Sequence, residues 1–230
     1  RHTVHLPIPA ANLAQHSKWM RAYSVTLAST LNRTIEVWKA QQRPHAAGGT
    51  LSNIENGLSI GELGLAPLRE PEYVSYSAWI EHTPFAFWVV DAVRPSLFAE
   101  LGTHQGQSYM AFCQAIQSLD TSCRALAVDT WRGDEHAGFY GQEVMDALRA
   151  VHDPKYRSFS QLLQMTFTEA SLTVEDGSVD LLHIDGRHFA DDVQADFDEW
   201  LPKMSDRGVV LMHDTQVRNN GFGVHEVWAN

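Results

Sequence analysis

From residue 83 onward, short apolar runs alternate with segments of helical periodicity. The runs Leu97–Leu101, Arg124–Val128, Phe159–Gln164, Val179–Ile184 and Gly208–Met212 read as strands. Between them, Gln107–Leu119 has helical periodicity, and Gly141–Val151, Thr168–Val174 and Phe189–Leu201 also read as helices; a last helix starts near Phe222. Thr83-Pro84 predicts one more helix start, with Thr83 as N-cap and Pro84 at the first helical position, closed by Pro95. Strands alternating with helices predict an α/β fold: a doubly wound, mostly parallel, Rossmann-like sheet covered on both faces. Ligands of such sheets sit at the carboxyl ends of the strands.

Upstream the pattern differs. Trp19, Met20, Tyr23, Leu27, Leu31, Ile35 and Trp38 share one face of a long helix predicted over 12–43, which Pro44 stops. Residues 44–57 are rich in Gly, Ser and Asn and read as a linker. Residues 58–76 read as turns or a short hairpin without chemistry. The expected organisation is an N-terminal helical extension and linker over 1–75 and the α/β domain over 76–230.

Composition narrows the partners. The chain has 230 residues and a net charge of −11, with no run of Lys or Arg. It is a poor electrostatic match for nucleic acid or an anionic membrane, and a small-molecule partner fits better. Cys113 and Cys123 form no CxxC pattern and read as two buried thiols in a reducing cytoplasm. No apolar run approaches the ~20 residues of a membrane span. The chain opens on Arg1, the expectation for a piece of a longer product. The long helix offers a surface for a homodimer.

The candidate chemistry lies at the strand ends. Glu100-Leu101-Gly102-Thr103-His104-Gln105-Gly106 runs from strand to helix with ExGxxxG spacing. Gly102 can take a positive-φ turn, and Gly106 can let backbone approach a ligand. The following helix offers free N–H groups to a carboxylate or phosphate. Glu100 could face an ammonium group or a ribose. Asp129 ends the next strand and suits ribose hydroxyls, with Trp131 able to cover an adenine face. The plain alternative is that these glycines only end a strand, Asp129 caps a loop and Trp131 is core. Asp185 and His213-Asp214 end two further strands, and two carboxylates with imidazole or water could hold Mg²⁺ or Mn²⁺. His188 or His213 could act as general base. Here the alternative is that Asp185 and Asp214 are caps, and His183 is expected to point into the core. Asp191, Asp192, Asp196, Asp198 and Glu199 read as helix-start anions and a solvated face. Trp88, Trp200 and Trp228 read as packing, and the loop holding Glu135 and His136 could close over a ligand.

The blocks PFAFWVVDAVRP, FAELGTHQGQSY, AVDTWRGDEHAGFYG, FSQLLQMTFTEA, VDLLHIDGRHFADDV and VVLMHDTQVRNNGFGV occur in order between Trp79 and Trp228. This stretch resembles a bacterial family of class I S-adenosylmethionine-dependent methyltransferases, often found beside or fused to glycosyltransferases and related to macrocin O-methyltransferase. The resemblance implies a class I methyltransferase fold and O-methylation of a sugar or glycosylated small molecule in glycan or natural-product biosynthesis. It implies that Glu100, Gly102 and Gly106 cradle the methionine part of S-adenosylmethionine. Asp129 would bind the ribose, Trp131 and Thr166 would lie near the adenine, and Thr103, His104, Ser108, Thr130 and Asp185 would also bind the cofactor. Asp185 and Asp214 match the metal-ligand positions of the macrocin-type enzymes. His213 stands where those enzymes carry an acidic or amide residue, and histidine also binds metals. The family fold ends in a β-hairpin that is expected to be missing here, leaving Thr3–Ile8 or a partner subunit to cover the last strand. Two other readings accompany this one: a cephalosporin hydroxylase-like enzyme on the same scaffold, and a non-catalytic cofactor-binding module of a larger glycosyltransferase.

Overall fold

The computed structural model describes Pro67, residues 69–229 and the two-residue strand Val4–His5. The helix expected over 12–43, the linker over 44–57 and most of 58–76 lie outside the described residues.

Five strands form one parallel sheet: β1 Leu97–Leu101, β2 Arg124–Asp129, β3 Ser160–Gln164, β4 Val179–Ile184 and β5 Met204–Met212. Their spatial order is β3-β2-β1-β4-β5, with every neighbouring pair parallel. The helices are α1 Thr83–Val93, α2 Gln107–Ser118, α3 Gln142–Tyr156, α4 Phe167–Ser171, α5 Ala190–Trp200 and α6 Val224–Ala229. The fold is the doubly wound α/β architecture expected.

The period-two geometry of a strand sends alternate side chains to opposite faces. Phe98, Ala125, Ala127, Leu181 and Leu211 pack on one face against Phe87 and Val90 of α1, Phe112 of α2 and Leu148 of α3. Leu97, Ala99, Leu101, Val128, Leu182 and Ile184 pack on the other against Ala170 of α4 and Trp200 of α5. Each large apolar side chain buried this way contributes roughly 1.5–3 kcal/mol. Trp200 is core, as expected of a packing residue.

Several boundaries move. A 3-10 turn over Ala78–His82 runs straight into α1, so His82 occupies the cap position without a side-chain cap bond. Thr83 is therefore the first helical residue rather than the N-cap, and its hydroxyl donates back to Ile80 O at 3.0 Å. α3 continues through Pro154 to Tyr156, past the expected end at Val151, because His152 and Tyr156 bury their side chains in its last turns. β5 starts at Met204, ahead of Gly208, with a register irregularity between Val179 and Leu181 of β4. Val4–His5 pairs in parallel with Tyr73–Val74 as a separate two-stranded sheet. It therefore does not cover the edge of β5, whose strand partner among the described residues is β4 alone.

The chain winds from β1 outward to β3, then crosses back to place β4 beside β1. That reversal opens a crevice between the carboxyl ends of β1 and β4, where this class of sheet receives ligands.

Candidate active site

A cavity of about 520 Å³ lies at that crevice. Gly102–Ser108, Asp129, Thr130, Thr166, Asp185 and His188 all line it. Four strand ends thus deliver most of the expected residues to one place.

The loop after β1 is shaped by its neighbours. Gly102 has φ +89°, and a Cβ there would lie 2.1 Å from Asp185 O. Only glycine lets β1 turn beneath the end of β4. Gly106, with φ +82°, faces Leu148 of α3, which a Cβ would meet at 2.5 Å. Its small size serves helix packing, whereas the sequence suggested close approach to a ligand. Gly106 caps α2 without a side-chain bond, so the helix start keeps free N–H groups beside the cavity.

Asp129 braces this loop. Its Oδ2 accepts from the N–H groups of Thr103 and His104 at 2.9 and 2.8 Å, and its Oδ1 accepts from Trp131 N–H at 2.7 Å. Trp131 does not line the cavity: the residue is 1% exposed in the core, and its indole N–H donates to His104 O at 2.9 Å. The aromatic wall is instead Tyr140, stacked on His104 with ring centroids 4.6 Å apart. Thr166 is the N-cap of α4 in a capping box with Glu169, so its hydroxyl is already engaged.

Glu100 also departs from expectation. It is fully buried and absent from the cavity wall. Glu100 and His183 are register partners on β1 and β4, so both point to the same face. His183 Nδ1 meets Glu100 Oε2 at 2.8 Å, and Trp79 Nε1–H donates to His183 Nε2 at 3.3 Å. Burial raises the Glu100 pKa against the bond from His183. His183 is a core residue, as its position in the strand predicted.

At the ends of β4 and β5, Asp185, His188, His213 and Asp214 each offer a ligand atom, all within 4.8 Å of one another. His188 Nε2 lies 3.4 Å from Asp185 Oδ1 and 3.2 Å from Asp214 Oδ2. His213 Nδ1 lies 3.2 Å from each aspartate. These approaches lack hydrogen-bond geometry: both ring nitrogens of His188 and Nδ1 of His213 are buried without a hydrogen-bond partner. Burial opposes the protonation of both imidazoles, but the two carboxylates outweigh it and raise both pKa values, that of His213 strongly. Burial likewise opposes ionisation of Asp185, and His213 and His188 overcome it, holding the carboxyl far below its usual range. Two carboxylates and two imidazoles with uncommitted nitrogens fit a divalent cation. His188 belongs to this set, which the sequence had assembled from Asp185, His213 and Asp214.

Several cavity residues had no signal in the sequence. Ser75 and Tyr76 line it from the segment expected to carry no chemistry, and Ser77 follows them. Asp192, expected as a helix-start anion, and Asp196, expected on a solvated face, also line it with Arg187; their four-residue spacing on α5 was the available clue. The Glu135–His136 loop is a small hairpin of Gly133–Asp134 and Gly138–Phe139. Glu135 pairs with Arg187 at 3.1 Å, and His136 packs on Phe189 and Phe222.

The fold and site together define an α/β protein with a ligand crevice at the sheet's switch point. Residues 99–215, half of the chain, match a family model described as "Methyltransferase domain", and the chain belongs to that family. It is 56% identical over 164 residues to the uncharacterized protein y4gI of Sinorhizobium fredii; the match takes in 71% of this chain and 18% of that protein. The chain therefore spans less than a fifth of this curated relative's length. Among solved structures it is similar to the S-adenosylhomocysteine-bound methyltransferase PaMTH1 of Podospora anserina, at 15% identity and TM-score 0.49, over 94% of this chain and 74% of that one. It is also similar to the O-methyltransferase TomG of Streptomyces achromogenes, in complex with S-adenosylmethionine, at 13% identity and TM-score 0.49, over 67% of this chain and 70% of that one. No helix among the described residues is long and apolar enough to cross a membrane.

Proposed function

We propose that the chain transfers a methyl group from S-adenosylmethionine to a hydroxyl oxygen of a small acceptor, a sugar or glycosylated molecule, with a divalent cation beside the acceptor. Membership of the methyltransferase-domain family supports the reaction class. The observation that carries the reading is the convergence of the glycine loop, Asp129 and the Asp185–His188 strand end on one cavity of cofactor size.

The residues present fit the cofactor. The open N-terminus of α2 offers N–H groups to the amino-acid carboxylate. Asp129 keeps acceptor capacity for ribose hydroxyls beyond its three backbone bonds. Thr130, Tyr140 and Thr166 border the space for the base. S-adenosylmethionine supplies the electrophilic methyl, so the protein's task is to align the acceptor oxygen with it and exclude water. In the absence of a cation, His188, which lines the cavity, is the imidazole placed to take the acceptor proton; His213 does not line it. The Asp185–Asp214 pair keeps that imidazole basic. A divalent cation in the same cluster supplies Lewis acidity toward a hydroxyl, with Mg²⁺ the ion suggested by sequence. The polyol preference rests on Asp192, Asp196 and Arg187 in the cavity wall, since carboxylates and guanidinium hydrogen-bond hydroxyls readily. A reducing, cytoplasmic setting agrees with the free thiols of Cys113 and Cys123. A homodimer through the N-terminal extension remains part of the proposal.

Calorimetric titration of S-adenosylhomocysteine into the chain tests this reading. One-to-one saturable binding is expected, followed by turnover on a sugar acceptor. Absence of binding overturns it, and binding without turnover on any hydroxyl acceptor favours a cofactor-binding module of a larger protein.

A further inference from the structure

We infer that Asp185, His188, His213 and Asp214 form a mixed imidazole–carboxylate centre that takes a first-row transition dication (Mn²⁺, Co²⁺ or Zn²⁺) in preference to Mg²⁺, with His188 a ligand and not a free base. The inference deepens the proposed function, because it names the cation beside the acceptor.

The donor set carries the selectivity. Mg²⁺ requires near-octahedral oxygen coordination and gives up water reluctantly. Imidazole nitrogen suits later and softer dications, while carboxylate accepts either class. Two of the four donors here are nitrogen. The four side chains are nearly buried, none exceeding 18% exposure, so a hydrated Mg²⁺ would have to shed water to enter.

The second observation is the state of the imidazoles. His188 Nε2 and His213 Nδ1 are buried, lie within 3.4 Å of carboxylate oxygens and make no hydrogen bond. A buried nitrogen left without a partner is costly. One ion accepting both lone pairs and balancing both carboxylates removes that cost. The rings are held in place from behind. His188 stacks on Phe222 with centroids 4.4 Å apart, and its carbonyl accepts from Gly223 N–H at 2.7 Å. His213 stacks on Trp79, which is itself tied to His183. Such outer support orients ligands before a metal arrives. Asp185 and His188 line the cavity while His213 and Asp214 do not, so the centre presents one side to the acceptor.

The test uses the full chain after dialysis against chelator. Co²⁺ is titrated in and followed by its visible absorption, with Mg²⁺ in about hundredfold excess. One Co²⁺ per chain is expected, displaced by Zn²⁺ and unmoved by Mg²⁺. Pulsed electron paramagnetic resonance of the Mn²⁺-loaded chain should show nitrogen couplings from coordinated imidazole. His188→Gln and His213→Gln should each weaken Co²⁺ binding at least about tenfold. The nitrogen couplings need no variant, so a misfolded variant leaves the test intact. Displacement of Co²⁺ by equal Mg²⁺, or a Mn²⁺ spectrum without nitrogen couplings, overturns the inference. S-adenosylhomocysteine is titrated into the same samples. Its binding without Co²⁺ uptake overturns the metal centre alone; Co²⁺ uptake without its binding removes the methyl-transfer reading and leaves the centre standing.

Discussion

Asp129 lines the cavity and braces the fold with one carboxylate. Three backbone N–H groups converge on it, two from the glycine loop. Bonds to a charged acceptor are worth about 1.5–3 kcal/mol each, and their loss strands buried donors. Asp129→Ala should therefore lower the stability of the ligand-free chain by on the order of 3 kcal/mol, as well as weakening S-adenosylhomocysteine binding. Urea denaturation without ligand separates the two roles: unchanged stability with weaker binding would assign Asp129 to the ribose alone. Gly102 gives a sharper case. Gly102→Ala drives a Cβ to within 2.1 Å of Asp185 O and should cost more than about 3 kcal/mol or prevent folding. Gly138→Ala, at φ +79° with nothing within 4 Å of its Cβ, should cost only about 1–2 kcal/mol of backbone strain. Equal urea midpoints for the two would refute the crowding argument. At this scale the sequence was legible where a residue's type limits it, as with Gly102 and Asp185. It failed where orientation decides. Glu100 faces His183 because both sit on one side of the sheet, and Trp131 turns into the core at φ +51°.

Among the elements, the five strands were legible because apolar runs bounded by turn residues have few alternatives. Boundaries were less so. Thr83-Pro84 has the letters of a helix start, yet the preceding 3-10 turn takes the cap position. β5 begins four residues early because Met204 already pairs with Val179 of β4, ahead of the register irregularity and of Ser205–Arg207, a stretch with no apolar pattern. The cavity wall formed by 75–77 was invisible, since it depends on chain placement and not on local pattern. α4 is a five-residue helix held by its capping box, in which Thr166 Oγ1 accepts from Glu169 N–H at 3.1 Å and Glu169 accepts from Thr166 N–H at 2.9 Å. So short a helix has little propensity of its own. Thr166→Ala should destabilise the chain by about 1 kcal/mol, with Thr166→Ser near wild type. Amide hydrogen exchange over Phe167–Ser171 would locate the loss; protection unchanged in the alanine variant would mean that packing of Ala170 alone holds α4.

In the whole molecule, the parallel sheet separates an end braced by Asp180 from an end that carries the cavity, and the two should titrate in opposite directions. At the amino ends of the strands, Asp180 is buried and accepts from Ser96 N–H at 2.7 Å, Ser205 Oγ at 2.6 Å and Arg207 Nη2 at 2.8 Å. Burial opposes its ionisation, but these donors, led by Arg207, bring its pKa down to about 2. A depressed pKa means stability that is present above the unfolded value near 4 and lost as pH falls toward 2. At the cavity end, Asp196 is pushed up to about 7, first by burial and then by Asp192 and Glu199. A raised carboxyl pKa means the reverse: stability is complete below about pH 4 and declines as pH rises toward 7, because the unfolded chain ionises first. Asp180→Asn should therefore lower stability at pH 7 by on the order of 2 kcal/mol, seen as a lower melting temperature, with the deficit shrinking as pH approaches 2. Asp196→Asn should match wild type near pH 4 and exceed it above pH 7 by on the order of 2 kcal/mol, allowing for partial solvent screening. Asp180→Asn should leave S-adenosylhomocysteine affinity unchanged, because the residue lies at the opposite end of the strands from the cavity. Melting curves of the three proteins from pH 3 to 8, with titrations at pH 7, decide the matter. A parallel pH response for both variants, or a loss of affinity in Asp180→Asn, would show that the two ends of the sheet are coupled.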